Sequence, residues 1–157
     1  MKTNKRYGRE HEMLVLFYQV SDAITRVREN EMRPFGILSQ VQAGVLYHLE
    51  ICGKSLTISE ISRRLIRKPH TISALVDRME LQGLVRKIRE PDVRNQILIE
   101  ITEKGAQAYK RASKMKAVEE IFSSITKEQR ENLILCFKTM RTRAFHNLGE
   151  NLQPPFP

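Results

Sequence analysis

The chain has 157 residues, enough for one domain with a real core or for a small domain with helical extensions, and the pattern below fits the second. With 27 Lys+Arg against 18 Asp+Glu the formal charge is +9, so the long-range field attracts polyanions, nucleic acid before membrane. No stretch approaches the roughly 18 apolar residues of a bilayer span, and the start lacks a continuous apolar signal core. That excludes membrane insertion and points to the cytoplasm, where two cysteines in helical patterns, Cys52 and Cys136, suit a reducing compartment without disulfides.

Lys2, Lys5, Arg6 and Arg9 open the chain as a loose basic arm. Met13, Phe17, Val20, Ile24 and Val27 then repeat at helical spacing, which predicts a long first helix over residues 9–30, ended by Arg33-Pro34-Phe35-Gly36. A second helix over residues 38–52 turns Val41, Val45 and Leu49 inward and stops at Gly53. Thr57-Ile58-Ser59-Glu60 has the form of a capping box opening a short third helix, whose stripe is Ile58, Ile61 and Leu65.

After a tight turn, Pro69 stands in the first turn of a fourth helix, where its missing N–H costs nothing. Ile72, Leu75, Val76 and Met79 form its buried stripe, so that His70, Ala74 and Asp77, flanked by Thr71, Ser73 and Arg78, occupy the opposite face. Folding needs none of these. They are short polar groups plus a cation, able to hydrogen-bond flat base edges, and the alternative is a merely solvated face.

Gly83 ends this helix, and residues 84–89 and 96–101 read as two strands of a hairpin, the second alternating Ile97, Ile99 and Ile101. Two short helices joined by a tight turn and followed by such a hairpin make a winged helix-turn-helix. Thr102 caps a fifth helix whose apolar seam is Ala106, Tyr109, Ala112, Ile121 and Phe122. A second capping signal at Thr126 opens a sixth, marked by Leu133, Ile134, Phe137 and Met140. The whole is mainly α with a small β hairpin.

Charge follows the same organisation, because residues 61–95 hold nine basic side chains against four acidic ones. His11, His48, His70 and His146 lie on different elements, and there is no Gly-rich phosphate loop, nucleophile elbow or paired-carboxylate motif, so neither an enzyme nor a cofactor is expected. His48 and Cys52 stand at i, i+4, a spacing compatible with a metal, but two ligands are not a site, and a packed, inert Cys52 is the plainer reading. Cys136, beside Phe137, reads as core.

Four segments, Leu56-Thr57-Ile58-Ser59-Glu60-Ile61, Thr71-Ile72-Ser73-Ala74-Leu75-Val76-Asp77-Arg78-Met79-Glu80, Gly83-Leu84-Val85 and Ile101-Thr102-Glu103-Lys104-Gly105, closely resemble the MarR family of winged-helix transcriptional regulators. The resemblance implies a homodimer whose terminal helices interlock. Residues 1–36 and 106–157 then dimerise, and residues 37–105 form the DNA-binding unit. It also implies that the helix from Pro69 enters the major groove of double-stranded DNA while the hairpin reaches the minor groove. In that arrangement Arg63, Lys68, Arg86 and Lys87 neutralise phosphates, while His70, Thr71, Ser73, Ala74 and Arg78 face base edges. Asp77 either accepts from a cytosine amino group or pairs with a neighbouring cation, and His70 contacts phosphate or nothing.

Asp92-Val93-Arg94 supplies the family's Asp-x-Arg hairpin signature, in which the acid orients an arginine entering the minor groove. Counted back from Thr102, the pair sits one residue earlier than the family pattern, which leaves a turn-capping Asp92 with a solvated Arg94 as the alternative. Members of the family commonly repress, and release DNA on binding a small phenolic or aromatic carboxylate; some sense oxidants or metals. The rival reading is a winged helix used for protein contact, which calls for an acidic or apolar outward face on the fourth helix; Leu81 is the only large apolar residue placed there.

Overall fold

A computed structural model describes residues 8–53, 55–90 and 96–149, and for Glu90 and Gln96 the backbone alone. The order is α1 (Arg9–Met32), α2 (Gln40–Ile51), β1 (Ser55–Thr57), α3 (Ile58–Leu65), α4 (Pro69–Leu81), β2 (Val85–Glu90), β3 (Gln96–Ile101), α5 (Glu103–Ala112), α6 (Lys116–Ser123) and α7 (Lys127–Asn147), with a short 3-10 turn at Arg33–Phe35.

The starts of α2, α3, α5 and α7 are set by side chains that take up orphan N–H groups. Ser39 accepts from Gln42 N ahead of α2, and Thr57 and Glu60 form the expected reciprocal box at α3, with Glu60 N donating to Thr57 Oγ1 at 3.2 Å and Thr57 N to Glu60 Oε2 at 2.8 Å. The bond from Thr57 N and a further one from the Thr57 hydroxyl, also 2.8 Å from Glu60 Oε2, hold the Glu60 carboxyl below the usual glutamate range. A second reciprocal box, Thr126 with Gln129, opens α7.

The sheet is antiparallel in the order β1-β3-β2. Its hairpin was legible; β1 was not, because Ser55-Leu56-Thr57 is only three residues long and runs into the α3 cap. Leu56 and Lys87 both face Ile99 in the register, so β3 is central and β2 is an edge. Against this sheet α2, α3, α4 and α5 enclose the core: Leu46, Leu49, Ile61, Ile72, Val76, Met79, Leu84 and Ile99.

The fifth helix of the sequence reading is two helices. Met115, at φ 45°, takes the left-handed conformation between α5 and α6, and the seam splits: Ala112 is buried in the core while Ile121 and Phe122 are half-buried on α6, which packs on α1. Cys136 is likewise not core but exposed on α7, a helix none of whose residues is buried. The outer half of α1 is in the same condition, with Met13 60% and Tyr18 64% exposed, although Phe17 stacks edge-on against Phe137 with ring centroids 6.2 Å apart. Apolar faces of this extent on two neighbouring helices exceed the scattered apolar residues of an ordinary solvated surface.

Candidate nucleic-acid interface

The face of α4 is as its periodicity requires. Ile72, Leu75, Val76 and Met79 are buried, each stabilising by about 2 kcal/mol, whereas His70, Thr71, Ala74, Asp77 and Arg78 are exposed and Ser73 is half-buried. Leu81, at the end of this face, is 89% exposed. Arg63 at the end of α3 and Lys68 at the α4 N-cap are both exposed beside it. Neither of their side chains, nor that of Arg78, has a hydrogen-bond or ion-pair partner among the described residues.

The turn that carries α4 into the wing is a Schellman motif: Gly83, at φ 72°, donates to Glu80 O at 2.8 Å and Leu84 N donates to Met79 O at 2.9 Å. Thr102 locks the base of the wing from the other side, its hydroxyl donating to Gly83 O at 2.6 Å and accepting from Gly105 N at 3.0 Å, while Lys104 Nζ donates to Gln82 O at 2.6 Å. Gln82 also accepts from the buried Gln42 side chain, at 3.0 Å, which fixes the end of α4 to α2. The Thr-x-x-Gly spacing from Thr102 to Gly105 is therefore wing-base architecture.

The cations of β2 are not free. Arg86 pairs with Glu100 across the hairpin. Lys87 is held by α4, its ammonium on Asp77 and, at 3.2 Å, on Glu80, while its backbone N–H donates to Glu80 Oε1 at 2.9 Å. Those bonds draw the Glu80 carboxyl below the ordinary glutamate range and push the Lys87 ammonium up. Of the two readings left for Asp77, the structure has the ion pair. The acids Glu80 and Glu100 went unread in the sequence, though Asp77 and Glu80 one helical turn apart, just before a basic strand, were the signal. Asp92 and Arg94 lie outside the described residues.

His48 is buried against Tyr47, ring centroids 5.1 Å apart, and burial, then the nearby Arg64 charge, lowers its pKa. Cys52 is half-buried, and no group of three or more His, Cys, Asp or Glu positioned to hold a metal occurs among the described residues. No helix there is long and apolar enough to cross a membrane.

A helix-turn-helix with a cationic rim, followed by a β2–β3 hairpin that pairs with β1, defines a winged-helix protein. The model of the MarR family matches residues 35–94, from the 3-10 turn into the wing. Among solved structures the chain is similar to the organohalide-sensing RdhR-CbdbA1625 transcriptional regulator in its 2,4-dichlorophenol-bound form, at 26% identity over 100% of this chain and 95% of that one, with a TM-score of 0.85. It also resembles Sco5413, a MarR family transcriptional regulator from Streptomyces coelicolor (21% identity, 88% and 96% covered, TM-score 0.77) and a mutant MarR from E. coli complexed with operator DNA (19%, 82% and 93%, 0.75). No curated protein matches. Residues 35–94 are thus MarR-like in sequence, and the chain has the winged-helix fold of the MarR regulators it is similar to.

Proposed function

We propose that the chain is a sequence-specific transcriptional repressor that binds a pseudo-palindromic operator as a homodimer. The carrying observation is the outward face of α4: His70, Thr71, Ser73, Ala74 and Arg78 present small donors, acceptors and one unpaired cation, with Arg63 and Lys68 at the rim for phosphate. Arg94, of the Asp92-Val93-Arg94 signature, is the minor-groove arginine of this reading. The apolar outer faces of α1 and α7 support the dimer. Release by a small-molecule or an oxidative signal completes the reading, and the small-molecule arm is supported by the similar regulator that carries 2,4-dichlorophenol.

The test is selection of bound duplexes from a random pool, followed by titration of the selected duplex against salt and then against aromatic acids and oxidant. The expected result is a consensus with two-fold symmetry and an affinity falling with a log–log slope of roughly −0.9 per phosphate contacted. Equal grip on selected and scrambled duplexes, or a monomeric protein, would falsify the reading.

A further inference from the structure

Lys87 sits on the edge strand of the wing, where a cation is expected to meet phosphate, yet every charge it meets in the protein belongs to α4. Its ammonium lies between Asp77 and Glu80, and Glu80 takes in addition the backbone N–H of Lys87 at 2.9 Å, the outward amide of an edge strand. Two carboxylates against one ammonium leave this cluster with a net negative charge, the wrong sign for a phosphate contact. The Lys87 side chain is 32% exposed, less open than Arg86 at 65%. Glu80 thus makes two separate contacts to one residue of the wing, which fixes the angle between recognition helix and hairpin as well as their distance.

Building on the DNA-binding reading above, we propose that Lys87 is a positioning residue: with Asp77 and Glu80 it forms a strut that sets the wing relative to α4, so that helix and hairpin meet their two grooves together. The strut adds a tie between the outer faces of α4 and β2 to the Schellman turn at Gln82-Gly83 and the shared core below it. In this role Lys87 releases no counterions when DNA binds, because its charge is already neutralised.

The strut and a direct phosphate contact predict opposite signs. A direct contact requires that D77A/E80A, by freeing a cation and removing two negative charges, tighten binding, and that Lys87→Gln lower the salt slope by about 0.9. The strut requires that D77A/E80A weaken binding of the selected duplex by about three- to tenfold at fixed salt. Lys87→Gln must then weaken it by a similar factor with the salt slope unchanged, and the triple variant must be no weaker than Lys87→Gln alone.

A second arm uses the free protein. In D77A/E80A, amide exchange at Lys87 accelerates by about tenfold or more, while the urea midpoint of the whole chain stays put. Tighter binding by D77A/E80A, a reduced slope for Lys87→Gln, or unaltered exchange at Lys87 overturns the strut. If instead the unmodified chain shows no salt-dependent duplex binding, the DNA reading falls, and the exchange arm still decides the strut by itself.

Discussion

Gly105→Ala isolates the wing base. A Cβ at this position would stand 2.0 Å from the Leu84 carbonyl oxygen and 3.0 Å from its carbon, with Ile101 Cγ1 at 3.1 Å. Two of those atoms are backbone, and the Leu84 carbonyl is itself held by Thr102, from its amide at 3.1 Å and its hydroxyl at 3.1 Å. No rotamer change relieves the clash; α5 must move away from β2 by more than 1 Å. Alanine brings a helix-propensity gain of about 1 kcal/mol over glycine, against which stand overpacking and weakened Thr102 bonds, leaving a net loss of about 2–3 kcal/mol. At a urea m-value of about 2 kcal/mol/M this lowers the midpoint by about 1–1.5 M, read by far-UV circular dichroism. A midpoint equal to or above that of the parent chain would show that helix propensity, not close approach, governs Gly105.

Two further predictions concern strain and protonation. Ile66 ends α3 at φ 53°, where a β-branched side chain is disfavoured, so Ile66→Gly should be more stable than Ile66→Ala by about 1 kcal/mol, reversing the order seen inside helices; the opposite order in urea unfolding rejects the strain. His48 has its folded-state pKa lowered by burial and by Arg64, so the unfolded chain binds the proton more readily. The stability it contributes is complete above the unfolded value near 6.5 and is lost as pH falls through and below it. Thermal midpoints should therefore decline from neutral pH into the acid range more steeply in the parent chain than in His48→Leu, and parallel curves would clear His48 of the effect.

The helix-turn-helix was legible because two independent signals coincide there, the Thr57–Glu60 box and the Ile72/Leu75/Val76/Met79 stripe, and local chemistry alone produces both. The α5–α6 break was not, since Ser113-Lys114-Met115 contains neither glycine nor proline and no side chain caps α6; the left-handed Met115 turns the chain into α6, which packs on α1. The face of α1 was read correctly as apolar, and Cys136 was misread as core for a related reason. Helical periodicity says which face is apolar, but not whether the same chain covers it. At the site, single residues were placed on their faces, whereas the pairings of Lys87 and Arg86 were missed, because a strand's cations look alike until the register sets one across from Glu100 and another over α4.

One joint connects the apolar helices to the reading head. At the inner end of α1, the buried Arg28 donates to Ala112 O at 2.6 Å and to Glu31 at 3.2 Å; Glu31 accepts in turn from Ala117 N at 3.1 Å, and Glu29 from Gln40 N at 3.0 Å. Three charges within one turn thus fasten α1 to the end of α5 and to the starts of α6 and α2. The 24 residues of α1 span about 36 Å at 1.5 Å per residue, so a tilt of about 5° at this joint displaces the outer end by about 3 Å, close to one base-pair step. In the proposed dimer that outer end meets the second copy, and two recognition helices must stay about one duplex turn apart to read both half-sites. Charged, buried fastening is costly compared with apolar packing of the same volume, but its directional bonds fix an angle that leucines do not. Spacing between the reading heads is on this account held by Arg28 and Glu31 as much as by the dimer contact itself.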